Sequence, residues 1–327
     1  MEAERIRELS DRLLFETEKI IVGKSDRIRL MIMAVLAGGH VLIDDLPGLG
    51  KTTLIKALSA ALGCEFRRVQ FVPDLMPSDI SGMRIFNQRT GAFELSEGPV
   101  MTNILLADEI NRAIPRTQSA LLEAMEERQV TIDGDSIRLP QPFIVLATQN
   151  PVESETTFPL PAAQMDRFLI RLSIGYPSHE EELRMLGVLG DRIPFESVEA
   201  VTNAGELSVL IGELSEVSVS EKVADYIVRI TEATRHSNEL RSGASPRASR
   251  ALYKASKVWA AMKGRDYVTP DDVRELAHPV LEHRLILSSQ AAFSGRTAGD
   301  VLEEILKGTV PPPDADGILG IGSSRQN

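Results

Sequence analysis

Three short runs in this chain place charged and polar side chains where they could handle a phosphate ester. The first is Asp44-Asp45-Leu46-Pro47-Gly48-Leu49-Gly50-Lys51-Thr52-Thr53, which follows the apolar stretch His40-Val41-Leu42-Ile43. A strand entering a glycine-rich turn and leaving as a helix can cradle phosphate oxygens with backbone N–H groups and with the positive end of the helix dipole. Gly48 and Gly50 give the backbone room to approach. Lys51 supplies a point charge for the β- and γ-phosphates, and the Thr52 hydroxyl a ligand for Mg²⁺. The helix expected from Lys51 to Leu62 stops at Gly63. The general pattern asks for glycine at the position held by Asp45. The strand before and the helix after keep the assignment. Gly23-Lys24-Ser25 has the same ending, but Glu18 stands at its first-glycine position and no strand precedes it.

The second run, Asn103-Ile104-Leu105-Leu106-Ala107-Asp108-Glu109, is an apolar strand ending in two acids. Asp108 can hold Mg²⁺ through its water shell, and Glu109 can polarise a water for in-line attack on a γ-phosphate. The third, Phe143 to Pro151, ends a buried strand in Gln149-Asn150. There Asn150 is placed to orient the attacking water or to sense the phosphate. Further on, Ser245 reads as an N-cap, Pro246 as the first helical position and Arg247 as a first-turn residue. A cation in a first turn opposes the helix dipole. A phosphate would hold Arg247, and a solvated side chain is the alternative.

These motifs must be set by a parallel sheet. Strands are expected near 40–44, 66–70, 103–107, 143–148 and 169–174, alternating with helices near 25–37, 51–62 and 116–127. Asp44-Asp45, Asp108-Glu109 and Gln149-Asn150 then fall at the carboxyl ends of strands, where such sheets bind ligands. Two hairpins interrupt the pattern, 83–86 with 92–95 and 130–133 with 136–139. From Pro177 the pattern is helical: Ser178 with Glu181 fits a capping box, Val223, Tyr226, Ile227 and Ile230 share a face, and Thr269-Pro270-Asp271-Asp272 opens a helix. The expected division is residues 1–177 as an α/β nucleotide-binding core, 178–310 as an α-helical lid and 311–327 as a disordered tail, with a separate core in each domain.

The order of motifs resembles an AAA+ ATPase, and in particular the MoxR family. The residues that carry this are Pro47 to Thr52, Leu106-Ala107-Asp108-Glu109-Ile110-Asn111-Arg112-Ala113, Ala147-Thr148-Gln149-Asn150-Pro151, Ala163-Gln164-Met165-Asp166-Arg167-Phe168 and Ser245-Pro246-Arg247. The resemblance implies a P-loop NTPase (AAA+) α/β core with a parallel sheet and a small all-α lid, hydrolysing ATP with Mg²⁺. It also implies Asn150 as sensor 1, Arg167 as an arginine finger, Arg247 as sensor 2 reporting the γ-phosphate to the lid, and Ile21-Val22-Gly23 against the adenine. Implied partners are further copies in a ring, expected to be a hexamer, and a client carrying a von Willebrand factor A domain. The hairpins would project to the pore and touch that client. Arg167 follows an apolar turn and precedes a strand, so it belongs at the edge of the core, away from its own phosphate loop. An ion pair with Asp166 or another acid is the alternative, and Arg171 and Arg112 are the other finger candidates.

Composition bounds the reading. The 327 residues hold 36 Lys and Arg against 47 Asp and Glu, a net charge of −11 that weighs against a nucleic-acid motor. A nucleic-acid translocase and a chelatase-type motor subunit are the alternatives to chaperone-like remodelling. The Arg67-Arg68 doublet reads as a solvated strand edge. The single cysteine, Cys64, reads as a small buried packing residue and suits a reducing, cytoplasmic setting. The apolar stretch Leu30 to Ile43 is too short to span a bilayer. Five scattered histidines offer no expected metal site beyond Mg²⁺.

Overall fold

The fold is taken from a computed structural model that describes residues 2–150, 157–188 and 195–312. Two helices come first, α1 (Glu2–Glu18) and α2 (Ser25–Leu36). Then follow β1 (Val41–Asp44), α3 (Lys51–Leu62), β2 (Phe66–Gln70), a short α4 (Pro77–Ser81), the hairpin β3 (Gly82–Asn87) with β4 (Ala92–Glu97), and β5 (Ile104–Asp108). Next come α5 (Pro115–Glu127), the hairpin β6 (Gln129–Ile132) with β7 (Asp135–Arg138), β8 (Ile144–Gln149), α6 (Ala162–Met165) and β9 (Ile170–Leu172). The remaining helices are α7 (His179–Val188), α8 (Ala204–Glu213), α9 (Glu221–His236), α10 (Pro246–Met262), α11 (Pro270–Leu281), α12 (Ser289–Phe293) and α13 (Ala298–Gly308).

The sheet is parallel with order β2-β5-β8-β1-β9. Its central strands are buried on both faces, which is why they read as unbroken apolar runs. Alternate residues divide between two cores. Val41, Ile43, Leu106 and Leu146 face α1, α2 and α3, whereas Leu42, Leu105, Val145 and Ala147 face α5. Helix and strand boundaries fall within a few residues of those expected. The capping boxes at Ser178–Glu181 and Thr269–Asp272 are both formed, and Gly63 ends α3 in the left-handed region at φ 60°.

The expectation of two separate cores fails. One continuous apolar cluster runs from the sheet through α1–α3 into α8–α11 and α13. The apolar faces of α1 and α2 exceed what the sheet covers, and α10 packs on both. Cys64 is half-buried and not enclosed, and burial pushes its thiol up to about 11. The expected tail falls mostly on 313–327, outside the described residues.

The β3–β4 hairpin stands out from the body with Met83, Ile85, Phe86, Phe93 and Leu95 exposed. Phe86 and Phe93 pair edge-to-face at 5.3 Å. Arg84 reaches Asp135 of the second hairpin, which turns at Asp133-Gly134, one residue earlier than expected.

His40, just before β1, is enclosed. Its Nδ1 accepts the Val145 amide at 2.9 Å, and its Nε2 faces the Met125 carbonyl at 3.3 Å. Burial, reinforced by the Arg128 guanidinium, pushes the imidazole down to about 3. The folded state therefore holds it neutral, while the unfolded chain protonates it near pH 6.5. Its contribution is complete above that pH and is lost as pH falls from 6.5 toward 3, at up to about 1.4 kcal/mol per pH unit. Unfolding free energy measured by denaturant titration should fall more steeply between pH 6.5 and 5 in the parent than in His40→Gln. Equal slopes would remove His40 from the account.

Candidate functional site

Register places the polar strand ends side by side. Gln70 pairs with Asp108 across β2–β5, and Asp44 with Gln149 across β1–β8. The phosphate-loop candidate Pro47-Gly48-Leu49-Gly50 rises from this end and feeds α3, with Lys51, Thr52 and Thr53 in its first turn. Gly48 and Gly50 sit at φ 83° and 78°, and nothing lies within 4 Å of a Cβ built on either. Backbone conformation, rather than crowding within the chain, is thus what requires glycine there.

The Lys51 ammonium is folded onto the carbonyls of Asp45, Leu46 and Gln149. Burial lowers its pKa, and Asp45, Asp108, Asp44 and Glu109 oppose that shift. Asp45 has a definite role at the position where the general pattern wants glycine. Its buried carboxylate accepts the Ser173 hydroxyl at 2.7 Å and the amides of Ile174 and Gly175. It ties the start of the loop to the segment leading out of β9. Val22 and Gly23 lie in a turn beside that segment: Gly23 is packed on Glu181, and the Lys24 ammonium donates to the Tyr176 carbonyl at 2.7 Å.

Asp108 is nearly enclosed. It accepts the Thr148 hydroxyl at 2.6 Å and the Thr52 hydroxyl at 3.3 Å. A carboxylate and a hydroxyl are hard oxygen donors, and this pair fits Mg²⁺. A cation already faces the carboxylate: Arg68 Nη2 donates to it at 2.7 Å and Nε at 3.1 Å. Arg68 is therefore more than a solvated edge residue. Its strand is the sheet edge and its side chain is exposed, as expected, but its guanidinium also neutralises a buried acid.

Glu109 adopts φ 56°, a left-handed conformation unusual for a side chain of its size, which lifts its carboxylate clear of the strand. Gln70 Nε2 donates to that carboxylate at 2.7 Å, and Arg112 Nε lies 3.1 Å from it. Arg112 is thereby committed to its own chain's acid. Asn150 is buried beside this pair, and Asn111 holds it by donating to its carbonyl at 3.0 Å and accepting its amide at 3.4 Å. Pro151 lies outside the described residues.

Arg167 and Arg247 are brought together at the other end of the sheet. Both meet Glu126 in the last turn of α5: Arg167 Nε lies 2.9 Å from one carboxylate oxygen, and Arg247 Nη2 donates to the other. They line a cavity of about 790 Å³ together with Gly38, His40 and Arg128. His40 immediately precedes β1 and Asp45 follows its end, and the four strand residues between them rise roughly 13 Å. Arg247 is therefore not beside its own phosphate loop, where a cis sensor would sit. The carboxylate holding it against the helix dipole is Glu126. Of the acids expected as alternative partners for Arg167, the ion pair falls to Glu126 and not to Asp166, which takes Arg284 Nε at 2.6 Å and the Ser245 hydroxyl at 3.0 Å. Arg171 lies 3.8 Å from Asp44 and 3.5 Å from Glu282.

Family models match in two blocks, the ATPase family associated with various cellular activities (AAA) over residues 40–170 and an AAA lid domain over residues 232–305. The chain is 41% identical to the Chaperone MoxR1 of Mycobacterium tuberculosis over 323 residues, spanning 96% of this chain and 85% of that protein. The chain belongs to the MoxR family of AAA+ ATPases. It is also 47% identical over 294 residues to the uncharacterized protein YeaC of Bacillus subtilis, covering 90% of this chain and 92% of that one. A crystal structure of an ATPase candidate from Cytophaga hutchinsonii superposes with a TM-score of 0.88 at 37% identity, over 94% of this chain and 96% of that one.

Within this MoxR-family chain, sequence reasoning missed Arg68, Gln70 and Glu126. Each acts across the fold, so no local pattern marks it. The polar phase of β2, with Arg68 and Gln70 alternating around the buried Val69 beside the acid-tipped β5, was the available signal.

The Asp45 contacts predict that restoring the general pattern does harm. Asp45→Gly orphans the Ile174 amide and frees the loop, at a cost of about 1–3 kcal/mol. A lower melting temperature and weaker binding of a non-hydrolysable ATP analogue are expected. An unchanged melting temperature and affinity would remove the tether.

Proposed function

We propose that this MoxR-type AAA+ ATPase hydrolyses ATP in a Mg²⁺-dependent manner within a ring of its own copies, and that the cycle remodels or assembles partner proteins. The observation that carries the catalytic half is the convergence at one sheet edge of Lys51, Thr52, Asp108, Glu109 and Asn150, which come from three separate strand ends.

In this reading Lys51 leaves the loop carbonyls to meet the phosphates, with the Gly48–Thr53 amides around them. Val22 and Gly23 border the base. Thr52 and Asp108 would hold Mg²⁺, which supplies charge neutralisation on the phosphate oxygens. Glu109 accepts the proton of the attacking water, and Asn150 orients that water. Gln70 and Arg112 must release the Glu109 carboxylate for it to act as a base.

Arg167 and Arg247 are proposed to complete the site of the next copy, because their own loop lies at the far end of the sheet. A finger of this kind contributes about 10³–10⁵ in rate. Residues 1–177 then serve as the core, and 178–310 as a lid that moves with it. Support for a protein client comes from the β3–β4 hairpin, whose exposed aromatic and aliphatic side chains suit an unfolded or flexible segment. The name of the Mycobacterium tuberculosis relative points the same way. A partner with a von Willebrand factor A domain, a hexameric ring and a cytoplasmic setting complete the proposal. The net charge of −11 favours it over a nucleic-acid translocase.

Lys51→Ala should lose ATP binding by calorimetry, whereas Glu109→Gln should bind and not turn over. Equal nucleotide affinity in Lys51→Ala and the parent would refute the loop assignment. For the composite site, Arg167→Ala and Lys51→Ala are each expected to be inactive, and their mixture partly active. The first keeps an intact loop and the second a good finger. A mixture as inactive as its components would place Arg167 in a structural role.

A further inference from the structure

Glu126 is the acid on which the two arginines meet, although one belongs to the core and the other to the lid. Their cavity is strongly basic. Arg128, Arg250, Lys254 and Arg284 join Arg167 and Arg247 in its lining, against the carboxylates of Glu126 and Asp166. Asp166 is engaged by Arg284 and Ser245. Burial lowers the pKa of Lys254, and Arg128 and Arg250 reinforce the shift, a sign that positive charge is in excess here. Two guanidiniums in such surroundings repel each other and would splay into solvent without a shared counter-charge.

We infer that Glu126 is a positioning residue that makes Arg167 and Arg247 into one two-pronged unit aimed at a phosphate of the neighbouring copy's nucleotide. The inference rests on the proposal that both arginines act in trans. One carboxylate oxygen lies by Arg167 Nε and the other accepts from Arg247 Nη2, so most N–H donors of both side chains have no acceptor among the described residues. The Arg167 contact is an ion pair without hydrogen-bond alignment: its Nε is buried and has no acceptor in line. Charge therefore keeps Arg167 in place while its direction stays adjustable. Because Glu126 stands on α5, it also links a lid residue and a core residue to one helix, so movement of the lid is felt by Arg167. Preorganisation of this kind is what allows charged donors to stabilise a transition state without reorganising.

The test compares Glu126→Gln, Glu126→Asp, Arg167→Ala and the double variant Glu126→Gln/Arg167→Ala with the parent. Glu126→Gln should bind a non-hydrolysable ATP analogue with parental affinity, since its own loop is untouched, and lose about ten-fold or more in kcat. Glu126→Asp should recover part of that loss. Glu126→Gln should cost less in the Arg167→Ala background than in the parent, because only Arg247 then remains for Glu126 to act through. Mixing Glu126→Gln with Lys51→Ala should restore activity. A parental kcat in Glu126→Gln overturns the inference, as does a loss that tracks a lowered melting temperature and is not restored by mixing. If Arg167→Ala is itself not rescued by Lys51→Ala subunits, the trans reading falls. If Arg167→Ala is rescued while Glu126→Gln is fully active, only the role of Glu126 falls.

Discussion

A parallel sheet has two unlike ends, and everything proposed for this protein depends on that asymmetry. All five strands deliver their carboxyl ends to one edge, so the turns leaving β1, β5 and β8 meet there. The same geometry sends the segment before β9 and the last turn of α5 to the opposite edge. Residues placed at one edge cannot serve a ligand held at the other edge of the same chain. A site that needs both sets must draw them from two copies. This is the structural basis for proposing a ring.

The carboxyl edge holds its charges in compensated pairs. Arg68 neutralises Asp108, Gln70 and Arg112 hold Glu109, and Lys51 rests on backbone carbonyls. Each partner must give way before the group it holds can meet a phosphate, a metal ion or a water. Burying these acids without partners would be costly. The pairs thus satisfy these charges in the protein by itself, and the proposed ligands would exchange them for other contacts. At the opposite edge Glu126 plays the corresponding part for Arg167 and Arg247.

The lid is less independent than its sequence suggests. Its helices share one apolar cluster with α1–α3, and Asp166 fastens Arg284 and Ser245 across the junction. A lid joined in this way has little freedom to swing on a loose linker, and the motion proposed for it would have to shift packed helices and ion pairs. Arg247, carried in the first turn of α10, is placed to follow that motion.

The sequence by itself determined the elements and the local chemistry. An apolar run ending in two acids marked β5, one ending in Gln149-Asn150 marked β8, glycines at 48 and 50 marked the turn, and Ser245-Pro246 marked the start of α10, because these signals are carried by neighbouring residues and backbone preference. It also located Arg167 at an edge, from the turn and strand on either side of it. Tertiary structure alone decided the partners. Asp45 looked like a flaw until Ser173, Ile174 and Gly175 were seen on its carboxylate, more than a hundred residues away in the chain. Arg68 is exposed as expected, but only the fold brings Asp108 against its guanidinium. Arg247 was expected to meet a phosphate or solvent and sits on Glu126, because the placement of the lid depends on packing between distant apolar faces, and no local pattern encodes the angle at which they meet.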